Sequence, residues 1–356
     1  MAGLIRYGTA DVVVDTQKIV TSTWSNNTNN LTTTHTSSTQ AVYTTATSSG
    51  AFYIDVYNLP TSSDSSSVQF AGAYGHKAGS GSLNFTNDSG SLGVSPSKVI
   101  YKQYQQLVFG DEESRFNFND YEPDDIYVIN ISRQNYKHNL KPGTLNLHLS
   151  SSKSGSDTSS ADVVSKLKLT DDSVTTTGSA KVTNAGRQFN IVSGSSGERS
   201  GSNLTQIDGS GSYGFFYPDS GFIILNGAAL SESIGIGDLG TYGVVTGSNS
   251  SPVGHRALVQ AISGGKHFII DSEEKVTSQY YFTRARNTEF NYTTNPSFID
   301  TDGNLNFTSM VDNPKTFITT VGLYNDMGDL VAVAKLSQPV SKDFTKEALI
   351  RVKLDY

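Results

Sequence analysis

Cysteine is absent from this chain of 356 residues. That excludes disulfides, thiolate metal sites and a cysteine nucleophile, and it fits folding in a reducing cytoplasm. Charge is scarce as well: Asp, Glu, Lys and Arg make up 17% of the residues, with a balance of −7. A surface of that sign has no basic footprint for coating nucleic acid or for a polybasic membrane contact. Long apolar runs are missing, and none approaches the roughly 20 residues that span a bilayer as a helix. The first ten residues lack a basic start followed by an apolar core, so they do not read as a signal peptide. No fixed-period repeat occurs, which argues against a solenoid or propeller.

The place of charged and aliphatic residues is taken by Ser, Thr, Asn and 33 Gly. The aromatics stay plentiful, with 18 Tyr and 17 Phe. Thr and aromatics favour strands, while Gly, Ser and Asn supply turns. The expectation is a mainly β protein: antiparallel, sandwich-like domains with long Ser/Thr/Gly-rich loops and one or few short helices. Three regions are expected. Residues 1–96 form an N-terminal β region with a Ser/Thr/Asn-rich arm. Residues 97–275 form a central β-rich region with one short helix. Residues 276–356 form a C-terminal β meander that can pack back on the central region.

The C-terminal end carries the clearest pattern. Phe317, Thr319, Val321 and Leu323 alternate on one face, as do Leu330, Ala332, Ala334 and Leu336, and then Ala348, Ile350, Val352, Leu354 and Tyr356. Side chains alternate across a strand, so three half-buried strands are expected. Asn325-Asp326-Met327-Gly328 reads as the hairpin turn between the first two, and Pro339 as the end of the second. The run Thr-Val-Gly-Leu-Tyr-Asn-Asp-Met-Gly-Asp-Leu-Val-Ala-Val-Ala-Lys-Leu-Ser at 320–337 resembles a hairpin segment of tail-fibre and baseplate-associated proteins of tailed bacteriophages. The whole chain is similar to virion structural proteins of large contractile-tailed, T-even-like phages, particularly those infecting cyanobacteria. The resemblance is firm over 314–356 and looser over 101–149 and 198–230. It implies a particle component and no chemical activity.

Further strands are expected at 51–58, 68–75, 126–131, 144–149, 162–169, 187–192, 279–285 and 289–292. Residues 11–20 read as a strand pair or an extended arm, and 25–50 as a long loop or an arm ordered against a neighbour. Pro218-Asp219-Ser220-Gly221 marks a turn between two strands, and Gly264-Gly265 marks another hairpin. The helix expected over 97–108 has Ile100, Tyr104, Leu107 and Val108 at helical spacing and Gly110 as its cap.

No constellation of chemistry stands out. Gly235-Ile236-Gly237-Asp238-Leu239-Gly240 matches the dinucleotide glycine pattern, but the strand before and helix after it are missing. Asp300-Thr301-Asp302-Gly303-Asn304 has alternating oxygen ligands but no downstream bidentate Glu, so it reads as a surface turn. The six His are scattered. No Ser/His/Asp pattern or G-x-S-x-G elbow appears. The aromatics at 212–217 and 280–282 fit a sugar platform or, more simply, sheet packing. No catalytic, cofactor-binding or metal-binding residue is therefore assigned, and no cofactor or enzymatic activity is expected.

One charged feature is singled out. Asp111, Glu112, Glu113, Asp120, Glu122, Asp124 and Asp125 crowd into 15 residues around the single base Arg115. Arg133, Lys137 and Lys141 follow. The simplest reading is a solvated face, then an intersubunit contact of acid against base, and last a glycosidase carboxylate pair. Together with the resemblance, this points to a structural component of the phage tail, baseplate or neck, located in the virion. Its expected partners are other virion proteins and its own copies in a trimeric or hexameric ring, with neither nucleic acid nor membrane. The alternative is a receptor- or glycan-binding tail-fibre component.

Overall fold

The computed structural model describes residues 5–36, 52–79, 96–152, 164–175, 180–199, 212–234, 236, 254–291 and 296–356. In chain order the first strands are β1 (Val12–Ser22), β2 (His35–Thr36), β3 (Tyr53–Tyr57), β4 (Val68–His76), β5 (Asp125–Ile131) and β6 (Asn139–Leu140). Then come β7 (Asn146–Ser152), β8 (Val164–Asp171), β9 (Lys181–Thr183), β10 (Gly186–Ser195), β11 (Glu198–Arg199) and β12 (Gly214–Tyr217). The last six are β13 (Phe222–Asn226), β14 (Phe268–Ile269), β15 (Asp271–Ala285), β16 (Thr316–Tyr324), β17 (Leu330–Lys342) and β18 (Ala348–Asp355). The described α-helices are α1 (Pro96–Phe109), α2 (Gly227–Ile234), α3 (Gly254–Gly265) and the single turn α4 (Ser309–Asp312). The protein is mainly β, as its composition implies.

The chain divides into two compact units, residues 19–274 and residues 1–18 with 275–356. The smaller unit thus takes in the first strand's start as well as the C-terminal region. The boundary expected at 96/97 does not exist, because β4 on one side of it pairs along seven positions with β5 on the other.

In the larger unit one antiparallel sheet runs β14-β7-β8-β10-β12-β13-β5-β4-β3-β2. Its inner face carries Ile54, Val56, Phe70, Tyr127, Ile129, Leu147, Leu149, Leu169, Ile191, Ile223 and Leu225. The sheet bends over itself, so that α3 packs on β7 near one end and on β4 and β3 near the other. Residues 30–36 join the two ends. Leu31 N donates to Phe268 O at 3.0 Å, Asn30 bridges Ile269, and β2 pairs with β3. Trp24, the lone tryptophan, plugs this seam: it is buried, its Nε1 donates to Phe268 O at 2.7 Å, and its ring lies 4.8 Å from Phe268 and 6.4 Å from Phe70.

The hairpin expected around Gly264-Gly265 is instead the end of α3. Ala257, Leu258, Ala261 and Ile262 are buried on its inward side, the spacing of a helix. The outer face of the sheet holds a second core. There α1 lays Ile100, Tyr101, Tyr104 and Val108 over Ile126, Val128, Phe222 and Ile224. Gly75 permits this approach, since a Cβ there would lie 2.9 Å from Tyr101 N. Glu289, expected in a strand, sits in a turn, donating its N–H to Arg286 O at 3.0 Å.

In the smaller unit the hairpin β16–β17 forms as expected. Its turn closes through Gly328 N to Asn325 O at 3.0 Å, with Gly328 at φ 87°, a conformation that favours Gly. β18 does not complete a meander; it pairs with β15 over eight positions, from Ser278↔Asp355 to Ala285↔Ala348, and β1 lies on the other side of β15. Pro339 does not end β17 either. Residues 336–339 stand opposite the single Thr319 in a register break, and a bulge needs no ladder donor from Pro. This break turns Ile318 to the core with Val321 and Leu323 and leaves Phe317 facing out; a second shift, between Leu323 and Tyr324, leaves Leu330 facing out while Ala332, Ala334 and Leu336 turn to the core.

Candidate assembly surfaces

The acidic segment after α1 is anchored by its aromatics and wetted by its acids. Phe116 and Phe118 alternate inward and are fully buried. Phe118 stacks on Phe215 at 4.6 Å, and Tyr101 meets Phe116 edge-on at 5.4 Å. The intervening residues are thereby held at the surface. Asp111 accepts from Glu113 N at 2.9 Å and from Ser114 N at 2.6 Å. Those bonds, with Ser114 contributing most, hold its carboxyl below the usual range. Glu112 pairs with Lys102 at 2.7 Å. Arg115 spans Glu122 at 3.3 Å and Asp124 at 2.7 Å. Glu113 and Asp120 are exposed.

Asp125 departs from the others. It opens β5 in a partly buried position, where its carboxyl lies against Gly227 at the start of α2. Burial, with Asp124 as the neighbouring charge, pushes it up to about 6. Burial also lowers His76, against the pull of Asp124.

The basic residues stand apart from this cluster. The acids lie before β5 and the bases after it, so some 20 Å of strand separates them. Arg133 lies over the Tyr136 ring at 4.7 Å and donates to Tyr136 O at 2.5 Å. Lys137 is exposed, and Lys141 counteracts the burial that raises Asp271. Within one chain the acidic and basic segments thus stand at opposite ends of β5. Each paired acid finds its cation locally, at Lys102 or Arg115.

The surfaces missed in the sequence are apolar. β1 is exposed along nearly its whole length, with Val13, Val14, Ile19 and Val20 all open to solvent on both faces. The outer side of β16–β17 shows Phe317, Tyr324, Leu330, Val331 and Val333, and Met327 at the turn is 90% exposed. The signal was available: Val12-Val13-Val14 and Val331-Ala332-Val333 are apolar at consecutive positions, so one of each pair must face outward.

The other sequence candidates resolve simply. Asp300 accepts from Asp302 N at 3.0 Å and Asn304 N at 2.7 Å, an ordinary Asx turn. Phe215, Phe216 and Tyr217 are core residues and offer no sugar platform. Tyr280 lies beneath Arg351 and Lys353. The glycine pattern at 235–240 lies outside the described residues apart from Ile236. Among the described residues no group of three or more His, Asp or Glu could hold a metal, and no helix is long and apolar enough to cross a membrane. In comparisons with known proteins, no family model, no curated protein and no solved structure matches the chain.

Proposed function

We propose that this protein is a structural subunit of a contractile-tailed phage virion, in the tail, baseplate or neck, and that it works by protein–protein assembly. The observation that carries this reading is the apolar surface of β1 and of the outer side of β16–β17. Exposed apolar strands invite association, and a lone soluble protein blunts them with charge or covers them. In an assembly they become interior. The resemblance over 320–337 falls on the same hairpin. The acids and bases at opposite ends of β5 fit a head-to-tail contact between copies, the kind that closes a trimeric or hexameric ring. In this reading the chain has no catalytic role.

The test is mass spectrometry of purified virions and their separated tail fractions. Several copies per particle in the tail fraction are expected. Absence from the particles overturns the proposal.

A further inference from the structure

The outer face of the large sheet is not fully covered by α1. Beyond the helix, β3, β4 and β5 leave an open trough of about 680 Å³. Its floor is a single cross-strand row. Asp55 of β3 pairs with Ala71 of β4, and Ala71 pairs with Asn130 of β5. Paired residues share a face, so Asp55 and Asn130 flank the Ala71 methyl about 10 Å apart, two strand spacings. Asn130 is the one exposed residue within β5, whose other positions are buried or half-buried. A polar side chain open to solvent near the end of a central strand marks the place where the outer layer stops.

The walls are aromatic and polar. Tyr53 stands one row along from Asp55, and Ile100, Gln103 and Tyr104 close the side formed by α1. Arg133 and Tyr136 form the opposite rim. That rim is held in place: Asn135 Nδ2 donates to Gln69 O at 3.0 Å, Ser132 N to Gln69 O at 3.0 Å, and Tyr136 Oη to Ser220 O at 3.2 Å. The trough is thus pre-formed, and its volume falls within the roughly 300–1,000 Å³ of small-ligand sites.

We propose that this trough binds a neutral hexose oligosaccharide. A pyranose presents an apolar C–H face and a rim of vicinal hydroxyls. The Ala71 methyl and the exposed Tyr53 ring match the first. Asp55, Asn130, Gln103 and Arg133 match the second, being planar groups that each engage two neighbouring hydroxyls. One carboxylate and one guanidinium leave the trough without net charge, which disfavours phosphates and polyanions. Its open shape and polar floor disfavour a lipid chain. The trough shares Arg133 with the charged ends of β5 but no residue with the exposed strands β1, β16 and β17 that carry the assembly reading, so either proposal can fail alone.

The experiment uses the full-length protein on a printed array of neutral and uronic-acid hexose oligosaccharides. Neutral array hits are then followed by saturation-transfer NMR, and maltotriose and inorganic phosphate are run as fixed probes. Retention of at least one neutral oligosaccharide is expected. Asp55→Ala and Asn130→Ala should each weaken it at least tenfold, and Ala71→Phe, which fills the floor, should abolish it. All three side chains face outward from the sheet, and circular dichroism checks that the variants stay folded. No neutral ligand on the array, binding of acidic ligands alone, or neutral binding indifferent to all three substitutions would overturn the proposal.

Discussion

Asp125→Asn should make the larger unit less sensitive to pH in a defined window. The wild-type carboxyl titrates at about 6 in the folded protein against an ordinary 3.8. Between those values the folded chain keeps a proton that the unfolded chain releases. The contribution of this carboxyl to stability is therefore fully present below about pH 4, declines as pH rises to about 6, and stays lost above that. A shift of about two units corresponds to a ceiling of about 3 kcal/mol. The side chain is only partly buried, and solvent screening reduces the expected loss to about 1–2 kcal/mol. Asn has nearly the same size and does not titrate. Urea unfolding at several values from about pH 4 to about pH 8, followed by Trp24 fluorescence, should show the variant gaining on wild type by that amount up to about pH 6. Above that the difference should level off. A difference curve that is flat, or that falls across the window, refutes the assignment of the buried carboxyl.

Other substitutions probe other layers of the structure. Lys342 is fully buried and its ammonium donates to Asn287 O, Asn291 Oδ1 and Asp343 O at 3.0, 2.8 and 3.0 Å. Lys342→Met removes the donor from all three acceptors, of which Asn287 O keeps its bond from Asn291 Nδ2, and should cost on the order of 2–3 kcal/mol in the smaller unit, read by chemical denaturation. Asn30→Ala removes bonds to Phe268 N at 2.9 Å and to His267 Nδ1 at 3.0 Å. It should lower stability by about 1–2 kcal/mol and red-shift the Trp24 emission as the seam loosens. Deletion of 316–356 should unfold the smaller unit, because Leu323, Ile350 and Val352 are its buried apolar residues. A truncated chain that stays monodisperse and protease-resistant would contradict that. Charge reversal at the exposed Glu113 and Asp120 should weaken self-association in low salt without shifting the melting temperature. Unchanged sedimentation would count against a charge-matched contact.

Local patterns in the sequence carried much of the fold. The helix over 97–108, the turn at 325–328 and the strands around 126–131 and 222–225 follow from spacing and turn chemistry, and all are present. What escaped was non-local or ambiguous. The partner of β18 lies 63 residues upstream at the Ala285↔Ala348 pair, and nothing in either strand names the other. In α3 the buried residues Ala257, Leu258, Ala261 and Ile262 follow helical spacing, while Gly264-Gly265 by itself marks a hairpin turn. Only packing against β7 and β4 decides it. The acidic segment was legible as a wet face, yet Asp125 was not separable from its neighbours. Its burial comes from Gly227 and Tyr74, residues remote in the chain. The trough on β3–β5 was invisible because a row such as Asp55, Ala71 and Asn130 exists only once strands are paired.

The seam also sets a timetable for synthesis. Trp24 and the carbonyl it binds are 244 residues apart. At about 5–20 residues per second, about 12–50 s pass between their emergence from a ribosome. Throughout that interval Trp24 and Phe70 lack the ring that covers them, and the sheet has one end unlatched. The nascent chain is then a natural client for a holdase, and quenching or shift of its only indole would report the last step of maturation.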